Sequence, residues 1–207
     1  MSVVVTIGRQ YGSAGIEIGK KVAEILNIPF YDKELVELAA EKSNLSTETL
    51  KEVDEKATNS FLYSIVSGSY SMRGVGSPIY YDMPINDKLF IAQTEVIKEL
   101  AKQDCVIVGR CADYVLENEN NVDILSVFVY SPLEFRIQHV MEAFDMTRNK
   151  AKDTIAKADK RRRNYYEYYT GRDWGSMTNY TMCLDVNKLG VDLAAQLIAD
   201  GAKNIRK

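Results

Sequence analysis

The sequence predicts an α/β fold in which a central parallel sheet is covered by helices on both faces. Short apolar runs of strand length recur along the chain, and segments with apolar residues at helical spacing separate them. The chain has 207 residues, of which 46% are hydrophobic, so it can build one sizeable core. We therefore expect a single domain over residues 1–207.

The first third of the chain predicts a strand, a glycine-bearing loop and a helix. The β-branched run 3–7 is of strand length, segment 8–15 carries three glycines, and apolar residues then recur at helical spacing up to residue 26. Residues 30–31 can supply a short second strand, and a further helix is predicted from residue 32 onward. The Ser/Gly/Tyr-rich stretch 67–84 shows no clear period, so we expect a loop there.

The remainder of the chain repeats the alternation of helix and strand. We predict strands at 105–108, 124–130 and 181–186 and helices at 89–100, from 133 onward and at 191–199. Ser131-Pro132 opens the second of these helices, as proline commonly does at a first helical position. This order of elements is typical of a parallel sheet.

Charge is distributed unevenly along the chain. The net charge is −3, but window 148–172 holds nine Lys or Arg against three acidic residues and so carries +6. The acidic remainder argues against a protein that packages nucleic acid. The three cysteines are scattered without metal-ligand spacing, and no apolar run approaches membrane-spanning length. We therefore expect a cytoplasmic protein with no membrane partner.

The first glycine loop is a candidate phosphate site. A loop between a β-branched strand and a helix brings backbone N–H groups together at the positive end of the helix dipole. A standard GxxxxGK[ST] loop would add a lysine and a hydroxyl, whereas this chain has Gly15 and Ile16 at those places. A tight turn with glycines for close packing is the alternative interpretation.

Arginines supply the other candidate sites. Arg110 follows a predicted central strand, where ligands of open α/β sheets bind, or alternatively it pairs with Asp113 at the surface. Asp159 and Arg162 are three residues apart and share a helical face, toward which Arg136 could converge. This basic segment suits a lid over a nucleotide. A solvated basic helix or an RNA-binding surface are alternatives, and the acidic remainder disfavours RNA.

Over nearly its whole length the chain resembles the cytidylate kinase-like branch of the P-loop nucleoside monophosphate kinases. The resemblance rests on five segments: IGRQYGSAGIEIGKKVAEIL, IPFYDKELV, VIVGRCADYVL, SPLEFRI and ADKRRRNYYEYYTGRDWGSMTNYTMCLDVNKLG. It implies a P-loop kinase fold with a helical acceptor lobe at about 33–100 and a basic lid at about 146–178. It also implies ATP and Mg²⁺ as cofactors and transfer of the γ-phosphoryl group to a nucleoside monophosphate. The first candidates for this acceptor are CMP and dCMP.

The resemblance also implies roles for residues on the side of the phosphate donor. Asp32 falls where the family has an acidic residue near magnesium, which it would hold directly or through water. Active members have a loop lysine where this chain has Gly15, and Arg9 is the cation that we expect to replace it. The residues that we expect to surround the ATP phosphates are Gly12, Ser13, Ala14, Gly15 and Ile16.

On the acceptor side, Arg110 corresponds to an arginine that holds the acceptor phosphate. Asp159 and Arg162 reproduce a D-x-x-R spacing that grips CMP, and Arg136 and Arg161 resemble transition-state arginines. Because the loop lysine is missing and the acceptor lobe departs from standard cytidylate kinases, two further functions stay open. One is a kinase of another small acceptor, and the other is an ATP-binding regulatory protein without turnover.

Overall fold

The structure, a computed structural model, describes residues 1–32, Leu35 and 84–205. Its described part contains one sheet of five parallel strands in the order β2-β3-β1-β4-β5. The strands are β1 (Ser2–Arg9), β2 (Phe30–Tyr31), β3 (Cys105–Val108), β4 (Val122–Tyr130) and β5 (Met182–Asp185). The predicted α/β fold with a central parallel sheet is confirmed.

Helices cover both faces of the sheet. Those in the described ranges are α1 (Gly15–Leu26), α2 (Ile85–Leu100), α3 (Ala112–Leu116), α4 (Leu133–Phe144), α5 (Arg148–Thr170) and α6 (Val186–Asn204). Only the five-residue α3 had no counterpart among the predicted helices of this part of the chain. The predicted loop at 67–84, except for residue 84 itself, and most of the predicted acceptor lobe lie outside the described residues. Within the described ranges, no helix is long and apolar enough to cross a membrane.

The alternation of side chains along β1 organises the core. Val3, Val5 and Ile7 lie in one buried cluster with residues of α1 and α6, whereas Val4 lies in another with residues of α2 and α3. Successive side chains of a strand point to opposite faces of the sheet, so β1 contributes to both layers. The uninterrupted apolar run is thus explained by burial on two sides.

The strand order places three loops at one edge of the sheet. The chain leaves β1 toward β3 and β2, then crosses back to β4 on the other side of β1. Because the strands are parallel, residues 10–14 after β1, 109–111 after β3 and 131–132 after β4 follow the same ends of neighbouring strands. Open α/β sheets bind ligands at this kind of reversal in strand order.

The basic segment forms one long helix, α5, whose C-terminal half is docked on the protein. Three tyrosine hydroxyls of this half donate hydrogen bonds to side chains of α2 and α3: Tyr165 to Gln93 (3.0 Å), Tyr169 to Asp87 (2.9 Å) and Tyr166 to Asp113 (2.7 Å). The Tyr169 ring also stacks on Phe90 at 4.0 Å. Aromatic packing and hydrogen bonds therefore hold this helix in place.

Candidate functional site

The first loop, residues 10–14, is hydrogen-bonded to the end of β4 and within itself. The Gln10 N–H donates to the Val129 carbonyl at 3.1 Å, which extends the β1–β4 pairing into the loop. The Ser13 hydroxyl donates to the carbonyls of Gln10 (2.9 Å) and Val129 (3.1 Å), so it faces the protein. Gly12 and Ala14 have φ of 78° and 60°, which turns the chain sharply into α1.

The N-terminus of α1 opens into the larger of two cavities at this edge of the sheet. Ala14, the N-cap residue, makes no side-chain capping bond, and the first N–H groups of a helix have no partner within the helix. Ala14, Gly15, Ile16 and Glu17 line this first cavity, whose volume is about 560 Å³. That volume is in the range of small-molecule sites, and a helix N-terminus favours an anion.

The side chain of Arg9, the last residue of β1, extends to the second loop, residues 109–111, and passes between Gly15 and Gly109. A Cβ added at Gly15 would lie 2.7 Å from Arg9 Cβ, and one added at Gly109 would lie 1.9 Å from Arg9 Nη1. At its far end, Arg9 Nη2 is 3.5 Å from Asp32 Oδ1, and both side chains are buried. The stem of Arg9 therefore lies against the residue that stands where a loop lysine would be.

A second, smaller cavity of about 40 Å³ lies beside the second loop. Its polar wall includes Arg110, which is buried and has a φ of 57°, together with Asp113 and Tyr166. Burial raises the pKa of Asp113 although the Tyr166 hydroxyl donates to its carboxylate, and burial also raises the pKa of Tyr166. The space is roughly that of three water molecules, which suits a compact polar group.

The two cavities share two arginines. Arg9 and Arg162 are the described residues that line both. Arg162 Nη1 donates to the Arg9 carbonyl at 3.3 Å, and its guanidinium carbon lies 5.4 Å from the centre of the Tyr11 ring. Fixed positive charge therefore lies at the boundary between the two spaces.

The structure brings Arg136 and Asp159 together, away from both cavities. Arg136 Nη1 is 2.5 Å from Asp159 Oδ2, and neither residue lines either space. Asp159 Oδ1 accepts the Tyr11 N–H at 2.7 Å. Arg161, by contrast, is exposed and lies in the wall of neither cavity. Of the predicted arginines, Arg9, Arg110 and Arg162 thus line the cavities, and Arg136 and Arg161 do not.

Comparison with known proteins identifies the family of the chain. The family model described as the cytidylate kinase-like family matches residues 4–188. The chain belongs to the cytidylate kinase-like family. The resemblance seen in the sequence is thereby confirmed. No curated protein matches the chain.

Solved structures place this cytidylate kinase-like protein in the P-loop kinase fold. An uncharacterized protein of Eubacterium ventriosum ATCC 27560 is 26% identical, with a TM-score of 0.71 over 98% of this chain and 99% of that one. Shikimate kinase of Bacteroides thetaiotaomicron is 14% identical, with a TM-score of 0.53 over 97% and 98% of the two chains. Shikimate kinase of Acinetobacter baumannii, solved with shikimate, is 15% identical, with a TM-score of 0.50 over 100% and 96%.

Some cavity residues of this cytidylate kinase-like protein were missed in the sequence. His139, Glu142 and Phe144 of α4 line the first cavity. Positions 142 and 143 follow position 139 by three and four residues and so lie on its face of the helix, which was the available signal. No sequence pattern indicated the role of Gly109, because a glycine is needed there only to leave room for the Arg9 side chain.

Proposed function

We propose that the protein is an ATP-dependent phosphotransferase in which the donor binds in the first cavity and an anionic group of a small acceptor binds in the second. The observation that carries the proposal is that Arg9 and Arg162 line both cavities. A transferred phosphoryl group must pass from donor to acceptor, and its transition state spreads negative charge that cations stabilise. Two arginines at the boundary suit that task.

The donor phosphates are proposed to lie over the first loop and the start of α1. Backbone N–H groups from Gly12 to Ile16 would hold phosphate oxygens, since the Ser13 hydroxyl is bonded within the protein. The first cavity is also large enough for the nucleoside part of ATP. Lys20, which lines the same cavity, adds positive charge beyond the loop.

Asp32 is the residue proposed to hold magnesium. Within the described residues no cluster of three His, Cys, Asp or Glu could hold a metal by protein ligands alone. Magnesium in kinases takes one or two carboxylates and fills the rest of its shell with phosphate oxygens and water, so the single carboxylate of Asp32 fits. Asp32 is buried, paired with Arg9 and in the wall of neither cavity, so it would hold the ion through a water molecule. When bound, the ion would neutralise charge on the phosphates of ATP.

Arg9 is proposed to supply the positive charge that a loop lysine supplies elsewhere. Its side chain lies against Gly15 and reaches the second loop, where Arg110 lines the space proposed for the acceptor. In the reaction the bond from the γ-phosphorus to the bridging oxygen breaks, ADP leaves, and an acceptor oxygen bonds to phosphorus. If the acceptor oxygen belongs to a phosphate, it is already anionic and no general base is needed.

The acceptor proposed first is CMP or dCMP, from the family resemblance, and its phosphate would contact Arg110 and Arg162. A second candidate, another small acceptor, is favoured by one observation. Asp159 is bonded to the Tyr11 N–H and paired with Arg136, so its carboxylate does not face the second cavity. Arg110 and Arg162 would still hold an anionic group of such an acceptor.

The test is ADP formation from magnesium-ATP by the purified protein with CMP, dCMP, UMP, AMP, GMP or no acceptor. The variant Arg162→Ala is compared with Arg148→Ala, which alters an exposed arginine of the same helix. We expect acceptor-dependent turnover that falls about 1000-fold in Arg162→Ala and stays unchanged in Arg148→Ala. Turnover with none of these acceptors, despite ATP binding by thermal shift, would exclude these nucleotide acceptors. Absence of ATP binding would overturn the kinase proposal itself.

A further inference from the structure

Arg136 and Asp159 together hold both backbone groups of one residue in the first loop. The Tyr11 N–H donates to Asp159 Oδ1 at 2.7 Å, and the Tyr11 carbonyl accepts from Arg136 Nη1 at 3.2 Å. The same Nη1 donates to Asp159 Oδ2 at 2.5 Å, and Arg136 Nε donates to the Ser131 carbonyl at 3.1 Å. These four contacts join α4, α5 and two loops.

The pair is largely buried and lies in the wall of neither cavity. The side chains of Arg136 and Asp159 are 10% and 15% exposed, and neither residue lines a cavity. Ionised side chains at such sites lose water contacts and are stable only while they stay paired and hydrogen-bonded. Turning Asp159 toward an acceptor would break its pair and release the Tyr11 N–H.

Neighbouring contacts fix the same loop from the same two helices. Arg162 Nη1 donates to the Arg9 carbonyl, one turn along α5 from Asp159. A Cβ added at Gly12 would lie 2.9 Å from the Arg136 carbonyl oxygen, so α4 packs directly on the loop. Helix α5 therefore bonds to Arg9 just before the loop, and helix α4 packs against Gly12 within it.

We propose that Arg136 and Asp159 are a positioning pair that holds the first loop in the shape that binds donor phosphates, and that neither touches the transferred group or the acceptor. The inference rests on the proposed function. Hydrogen-bond donors stabilise a phosphate most when they are aligned before it arrives. This loop has no lysine that the phosphates could attract, so the hydrogen bonds of Tyr11 to Asp159 and Arg136 align it instead.

The first experiment measures binding of a non-hydrolysable magnesium-ATP analogue by calorimetry with no acceptor present. Asp159→Asn keeps an oxygen for the Tyr11 N–H but loses the charge, and Asp159→Ala loses both. We expect the Kd to rise about 10-fold or more in Asp159→Asn, with a larger rise in Asp159→Ala. Asp153→Asn, an exposed carboxylate on the same helix, is the matched control and should leave the Kd unchanged. An acceptor-binding Asp159 would leave donor affinity unchanged in every variant, which would overturn the proposal.

The second experiment needs no ligand. Amide hydrogen exchange in the segment 10–14 should be slow in the wild type and at least about 10-fold faster in Asp159→Ala, because the Tyr11 N–H loses its acceptor. Unchanged exchange in a variant that still unfolds cooperatively would overturn the positioning role. If exchange accelerates but the wild type binds no nucleotide, the pair holds the loop in place, but the loop is not a nucleotide-binding loop. That result contradicts the proposed function and the proposed binding of donor phosphates by the loop, but it leaves the positioning role of the pair intact. Failure of the proposed function is thereby distinguished from failure of the positioning role.

Discussion

Gly15→Ala should destabilise the protein because Arg9 occupies the space beside Gly15. The added Cβ would lie 2.7 Å from Arg9 Cβ and 3.0 Å from Arg9 Cγ, whereas carbon atoms pack best at about 3.5–4.0 Å. The stem of Arg9 must therefore shift by roughly 1 Å, while its far end is held at Asp32. Overpacking of this kind costs about 1–3 kcal/mol. Because Gly15 is the first residue of α1, the better helix propensity of alanine returns at most about 0.5 kcal/mol, which leaves a net loss of about 0.5–3 kcal/mol.

Thermal unfolding without nucleotide measures this loss, which corresponds to about 1–12 °C in Tm for a chain of this size. The control is the same substitution in an Arg9→Gly background, where the clashing Cβ and Cγ are gone. There Gly15→Ala should be neutral or stabilising, so the double-mutant cycle isolates the contact. Equal losses in both backgrounds, or no loss in either, would refute the reasoning. By the same argument a lysine at position 15 needs Arg9→Gly beside it before it can lie along the loop.

Three further predictions concern the surroundings of the site. Tyr169→Phe removes the hydroxyl that donates to buried Asp87 and should lower the free energy of unfolding by about 1–3 kcal/mol in urea titrations. Iodoacetamide should label exposed Cys183 in the folded protein but leave Cys105 unmodified, since burial raises the pKa of Cys105 to about 12. Burial raises the pKa of Asp113, so the folded state holds this proton more tightly than the unfolded chain does. Its contribution to stability is lost as the pH rises through that raised pKa, and Asp113→Asn should flatten the dependence of Tm on pH above about 4.

Each of these predictions has a control. Tyr130→Phe alters an exposed tyrosine and should leave the free energy of unfolding unchanged, so equal losses in both variants would contradict the hydrogen-bond argument. Labelling of Cys105 should follow in denaturant, and its labelling at the rate of Cys183 in buffer would contradict its burial. A pH profile of Asp113→Asn parallel to that of the wild type would show that another group titrates.

The sheet could be predicted from the sequence because its central strands are buried on both faces. Such strands are uninterrupted apolar runs, and residues 3–7 and 105–108 were found on that basis. The helix α3 was missed because five residues are too few to show a helical period. The order of the strands is decided by contacts between distant segments, such as the pairing of Ile7 with Val108, and no local pattern encodes those contacts.

The position of the candidate site was also predictable, whereas the contacts of its charged residues were not. Helical spacing correctly placed Asp159 and Arg162 on one face of α5. Spacing does not say what that face contacts, and in the structure it contacts Tyr11 of the first loop and Arg9 at the end of β1. Likewise the path of Arg9 between two glycines depends on the approach of two loops far apart in the chain.

The same reasoning bears on whether α5 closes as a lid. Rotation of the whole helix would break the hydroxyl bonds of Tyr165, Tyr166 and Tyr169 to α2 and α3, at about 1 kcal/mol each, and also the 4.0 Å stacking of Tyr169 on Phe90. Side-chain rotation of exposed Arg161 breaks none of these contacts and is the less costly movement. We therefore expect magnesium-ATP to leave amide exchange in segment 163–170 unchanged while it slows exchange in segment 10–14. Faster exchange in 163–170 on nucleotide binding would show instead that the docked helix opens.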